Sequence, residues 1–128
     1  MRILLDTQVA LHFLRPTLAK DYREIRRLLT NPSTIGFVSV ASLWEIAIKT
    51  RLGKLGAGMP LQNIAGYLEA IGLSMLSIEV EHVITAAYPE PESRDPFDRL
   101  LLAQCQVENL KLLTLNRALL RHPLVLTN

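Results

Sequence analysis

Short, mainly apolar runs set between helix-length stretches constrain this chain more than any other feature. The runs fall at 2–5, 35–40, 73–78 and 110–115, with a weaker one at 124–127. Each lacks polar alternation and is too short for a helix, so each reads as a strand buried on both faces. Between them the spacing predicts a helix through Leu14, a second over 17–30, and a third from 41 to the glycines at Gly53 and Gly56. A further helix is expected from Met59-Pro60 to about Ile71, a short one through Ala87, and a strong one from Pro96 to about Glu108. Arg15-Pro16 and Asn31-Pro32-Ser33 break the chain, and YPEPESRDP (88–96) is a proline-rich loop. Strands alternating with helices argue for an α/β sandwich around a parallel sheet of four to five strands. A chain of 128 residues is expected to form one domain, 1–128.

Composition narrows what such a fold would do. The hydrophobic share is 49%, which argues against disorder, and aromatics are only 5%, so the core is aliphatic and base stacking is not a main binding mode. The net charge of +2 permits a nucleic-acid partner without demanding one. Arg15, Lys20, Arg23, Arg26 and Arg27 cluster early, and Lys49, Arg51 and Lys54 follow later. Such runs are either solvated helix faces or a phosphate-binding surface. The single cysteine, Cys105, rules out an internal disulfide or a cysteine-rich zinc site and reads as a small core residue. That usage fits a reducing, cytoplasmic setting. Asp6 interrupts the first apolar run too early for a signal peptide, and no run is long enough to span a membrane.

The chemistry lies in acids placed just beyond the strands. Ligands of open parallel sheets bind outside the carboxyl ends of the strands. Asp6 ends the first run, in LLDTQVALHFL; Ser39 and Glu45 follow the second; Asn116 follows the fourth; Asp95 and Asp98 open the helix leading into the fourth. Carboxylates brought together repel unless a cation neutralises them, and hard oxygen ligands suit Mg²⁺ or Mn²⁺. His12, His82 and His122 show no zinc-type spacing. Each acid also has a plainer reading. Asp6 before Thr7 fits a helix cap, and Asp95-Pro96-Phe97-Asp98 fits a helix opening with Asp95 as cap. Ser42-Leu-Trp-Glu45 matches a capping box, but a helix starting near Ser39 leaves Glu45 mid-helix beside apolar neighbours.

The combination resembles the PIN-domain ribonucleases, and within them the VapC-type toxins of toxin–antitoxin pairs. LLDTQVALHFL is similar to the family's opening strand and metal-binding aspartate. VSVASLWEIAIKTRLGKL resembles its second acidic motif, RDPFDRLLLAQC its third, and LKLLTLNRAL its fourth. The resemblance implies a three-layer α/β/α fold and Mg²⁺- or Mn²⁺-dependent endonucleolytic cleavage of RNA. Asp6, Glu45 and Asp98 fall on the firmest acidic positions, as metal ligands. Thr7 and Asp95 are secondary candidates, and Arg15, Lys20, Arg23, Lys49 and Arg51 are candidates for binding RNA. The fourth position usually holds an aspartate; here Thr114-Leu115-Asn116 puts an amide there, suited to orienting water or a second ion. The resemblance further implies a homodimer and a cognate antitoxin whose tail fills the acidic groove with a basic side chain.

Two other classes bear on the same residues. One is a non-catalytic RNA- or protein-binding module, which Asn116 invites. The other is a phosphotransfer enzyme with Asp6 as nucleophile, which would want a second aspartate where Gln8 stands.

Overall fold

The computed structural model describes residues 1–15 and 20–126. Among these residues a four-stranded, all-parallel sheet runs in the order β3-β2-β1-β4. The strands are β1 (Arg2–Leu5), β2 (Ile35–Ser39), β3 (Ser74–Leu76) and β4 (Lys111–Leu113). The helices are α1 (Thr7–Leu14), α2 (Lys20–Leu29), α3 (Val40–Arg51), α4 (Ile64–Ala70), α5 (Val80–Ile84) and α6 (Pro96–Glu108). The α/β sandwich expected from the alternation is the fold observed.

Register explains why the strands read as continuous apolar runs. Leu4 pairs with Phe37 and Leu112, while Leu5 pairs with Val38 and Leu113. Successive side chains on a strand point to opposite faces. Ile3, Leu5 and Val38 accordingly pack on one side with Val9 and Ala10 of α1, Ile25 of α2 and Leu68 of α4. Leu4 and Leu112 pack on the other with Leu101, Leu102 and Cys105 of α6. Truncating a core leucine such as Leu4 to alanine is expected to cost about 2–5 kcal/mol.

Several elements differ from expectation at their ends. The third strand shrinks from 73–78 to 74–76 and the fourth from 110–115 to 111–113, because apolarity continues past the last ladder bond. Val40 begins α3 instead of ending β2, since the Ser39 side chain accepts from Ala41 N and starts the helix there. The expected fifth strand is a single bridge, Leu112 to Val125. The helix expected from Met59-Pro60 begins as one 3₁₀ turn, Leu61–Asn63, before α4, and the short helix expected through Ala87 stops at Ile84. Residues 17–19 of the second expected helix lie outside the described residues.

The glycine stop after the third helix takes a specific form. Gly53 adopts φ +72°, Gly53 N donates to Thr50 O at 3.0 Å, and Lys54 N donates to Lys49 O at 2.9 Å. This is the Schellman arrangement that glycine favours at a helix end. It turns the chain back so that Lys54 and Leu55 come to border the pocket described below.

Candidate functional site

β1 is central in the sheet, so whatever follows it emerges in the middle of the carboxyl edge. Asp6 sits there, buried, with its own N–H still in the ladder, donating to Leu113 O at 2.9 Å. Its side chain caps α1: Oδ1 accepts from Thr7 N at 2.7 Å, while Oδ2 accepts from Thr114 Oγ1 at 2.6 Å. The cap and the candidate ligand are therefore one residue. Burial pushes the Asp6 carboxyl above its ordinary range; the Thr114 and Thr7 bonds pull it back, and Glu45 and Asp95 push it up again.

Glu45 reaches the same edge from α3. The helix starts at the Ser39 cap, which leaves Glu45 mid-helix and buried, so the capping-box reading fails. Its Oε1 lies 2.7 Å from Thr7 Oγ1, which also shares a 2.9 Å hydrogen bond with Ser42 Oγ. With one hydroxyl proton to give, Thr7 serves the carboxylate, the stronger acceptor, and Ser42 donates to Thr7. Glu45 Oε2 accepts from Lys49 Nζ at 2.6 Å.

Asp98 arrives from the start of α6. Asp95 caps that helix, Oδ1 accepting from Phe97 N at 2.7 Å and Asp98 N at 3.3 Å, with Pro96 at its first turn. Asp98 Oδ2 accepts from Ser93 Oγ at 2.7 Å. Arg99 holds the preceding loop by donating to Ser93 O, Pro91 O and Glu90 Oε1. Burial raises the Asp98 carboxyl above its usual range; Ser93 opposes this, and Asp95, Asp6 and Glu45 add to it.

Asp6, Thr7, Glu45, Asp95 and Asp98 line one pocket of about 680 Å³, together with Gln8, Leu11, Lys49, Lys54, Leu55, Leu115, Asn116 and Arg117. Asn116 Oδ1 is used locally, accepting from Ala118 N at 3.0 Å to shape the turn after β4. Of the expected basic residues, Lys49 lines the pocket, whereas Arg15, Lys20, Arg23 and Arg51 are not among its described lining. Lys20 instead lies 3.9 Å from Glu24. Thr114, Ser93 and Arg99 carry structural roles here that the sequence did not single out, and Arg117 lines the pocket. The signal for Thr114 was its place in the Thr-x-Asn motif; Ser93 and Arg99 offered none.

The donor set fits a hard divalent cation: carboxylate oxygens from three elements face one pocket, and two of the carboxyls are raised by burial and by neighbouring carboxylates. Among the described residues no three His, Cys, Asp or Glu groups stand close enough to enclose an ion. A cation such as Mg²⁺ does not require such a cage, because it keeps several waters and takes one or two carboxylates plus substrate phosphate. His82 is placed elsewhere, buried against Glu108 at 2.8 Å between α5 and α6.

Comparison with known proteins agrees with this architecture. The profile of the PIN domain matches residues 3–123. A chain of the VapBC2 crystal structure from Rickettsia felis, bound to a DNA fragment from their promoter, superposes with a TM-score of 0.65 at 17% identity. The match covers 98% of this chain and 96% of that one. A search of curated proteins returned no match. Since the profile runs from the first strand through the turn after β4 and takes in all four acids of the pocket, the chain belongs to the PIN domain family.

Proposed function

We propose that this protein is a Mg²⁺- or Mn²⁺-dependent endoribonuclease acting as the toxin of a toxin–antitoxin pair. The observation that carries the reading is the convergence of Asp6, Glu45, Asp95 and Asp98 on one pocket at the carboxyl edge of the sheet. Asp6, Glu45 and Asp98 would hold the cation, with Asp95 principally a helix cap. When bound, the ion would supply polarisation of water and offset charge developing on phosphorus.

The chain's own residues hold that site rigid. Thr7 N and Thr114 aim Asp6, Thr7 Oγ1 aims Glu45, and Ser93 aims Asp98. Lys54 and Arg117 border the pocket and suit the RNA backbone, whose binding is then salt-dependent. Hydrolysis breaks the P–O3′ bond, leaving a 5′-phosphate and a 3′-hydroxyl that takes up the proton. Asn116 contributes an amide where the family motif has an acid, so the site carries one negative charge fewer.

The likeness to a VapBC2 chain supports an antitoxin partner, whose basic side chain would compete for the same carboxylates. Val80, Val83, Ile84 and Tyr88 are exposed apolar side chains that a second copy would cover in a homodimer. Among the described residues no helix is long and apolar enough to cross a membrane. The setting proposed is the cytoplasm.

Inducible expression without an antitoxin, with sequencing of new RNA 5′ ends, tests the reading. Wild type is expected to arrest growth and create new ends, while Asp6→Asn and Glu45→Gln do neither. Identical RNA profiles and growth for all three would sink the nuclease reading. New RNA binding without cleavage in Mn²⁺ would instead favour the binding module that Asn116 invites.

A further inference from the structure

The acidic pocket already carries a cation of its own. Lys49 Nζ lies 2.6 Å from Glu45 Oε2, one helical turn along α3. Thr7 occupies the other Glu45 oxygen at 2.7 Å, so both are engaged. The two partners differ in freedom: the Glu45 side chain is 12% exposed and the Lys49 side chain 50%. A lysine is a compact charge on a flexible stem, so the ammonium can swing while the carboxylate stays. The ammonium also feels the fields of Asp95 and Asp98, which tie it to the whole site and not to Glu45 alone. Lys54 and Arg117 border the same pocket, so a phosphate drawn there is already met by positive charge.

An ammonium and a divalent cation repel strongly when they share one carboxylate. On the nuclease reading above, we propose that Lys49 is a transferable counter-ion. It neutralises Glu45 in the cation-free site, then turns to a non-bridging phosphate oxygen of RNA when a divalent cation takes Glu45. Cation and RNA binding then reinforce one another, because each provides a partner for a group the other releases, and that coupling is reciprocal.

The test compares wild type with Lys49→Met and Lys49→Arg. Mn²⁺ binding is measured by calorimetry without RNA. Binding of a short fluorescein-labelled oligouridine is followed by stopped-flow anisotropy over a salt series, in Mn²⁺ and in EDTA, before cleavage sets in. Without RNA, Lys49→Met is expected to bind Mn²⁺ about two- to five-fold tighter, since an ion pair of this exposure competes only modestly. In Mn²⁺ its salt slope for RNA should be shallower than wild type by about 0.7, the value of one phosphate contact to a single strand. In EDTA the two slopes should coincide, and Lys49→Arg should follow wild type. Unchanged or weaker Mn²⁺ binding by Lys49→Met overturns the proposal, as does a slope difference of equal size in EDTA. A wild type that binds Mn²⁺ and cleaves RNA, with the slope of Lys49→Met, removes this proposal and spares the nuclease reading. A wild type that binds no Mn²⁺ removes both.

Discussion

Thr114 donates its hydroxyl proton to Asp6 Oδ2 at 2.6 Å, joining two residues 108 positions apart. The same hydroxyl oxygen accepts from Asn116 N at 3.0 Å, so it links the turn after β4 to the end of β1.

Thr114→Val keeps the shape of that side chain but removes the bond. It leaves a buried carboxylate oxygen unpaired, which should cost about 1–3 kcal/mol in urea unfolding. Cation affinity should fall on the order of 10-fold, the usual effect of losing a group that orients a ligand. Calorimetry with Mg²⁺ checks this; unaltered affinity and stability would show that Asp6 is held by other means.

Stability should depend on pH in a direction that the raised carboxyls set. Asp6 and Asp98 are both raised from 3.8, each by burial first. The folded chain therefore holds these protons more tightly than the unfolded one. Their contribution is full below 3.8 and is lost as pH climbs through the raised values. In EDTA, Asp6→Asn should flatten this loss, and Mg²⁺ should stabilise wild type most at the upper end of the window. Denaturation across a pH series checks it; a steeper loss in Asp6→Asn than in wild type would contradict the account.

Asn116→Asp should restore charge without disturbing the turn, because aspartate accepts the Ala118 N–H as asparagine does. Mg²⁺ affinity is expected to rise on the order of 5- to 10-fold, the effect of one added charge near a partly solvated ion. The rate of RNA cleavage should rise with it. If titration calorimetry finds the same affinity, the missing charge is not what limits cation binding.

Cys105 should be chemically silent in the folded chain. It is fully buried in α6, and burial pushes its thiol up to about 12. Iodoacetamide at about pH 8 should alkylate it only after denaturant is added, since the thiolate is the nucleophile. Intact-mass spectrometry reads the outcome; rapid labelling without denaturant would mean that the α6 packing opens readily.

The layered fold was legible because its causes are local. The strands are mainly apolar where they are buried on both faces, the helix caps Asp6, Ser39 and Asp95 bond to amides one to three residues ahead, and Gly53 takes the left-handed turn few residues tolerate. Asp6, Glu45 and Asp98 were candidates from their order along the chain, but local pattern left each with a plainer reading, and the likeness to the family motifs is what set them apart. Strand lengths were less legible, since Ile78 and Leu115 continue the apolar pattern after pairing has stopped.

What surrounds those acids was decided only by the tertiary structure. The bonds from Thr114 to Asp6 and from Thr7 to Glu45 span 108 and 38 positions, and no local pattern encodes them. The spacing of Glu45 and Lys49 allows an ion pair on any exposed helix. Burial of Glu45 at the sheet edge gives the pair its weight, because a desolvated carboxylate without a partner is costly, and Lys49 is the cation that meets it. The sequence alone determined which groups could take part; their charges, partners and degree of burial came from three helices meeting over the end of one central strand.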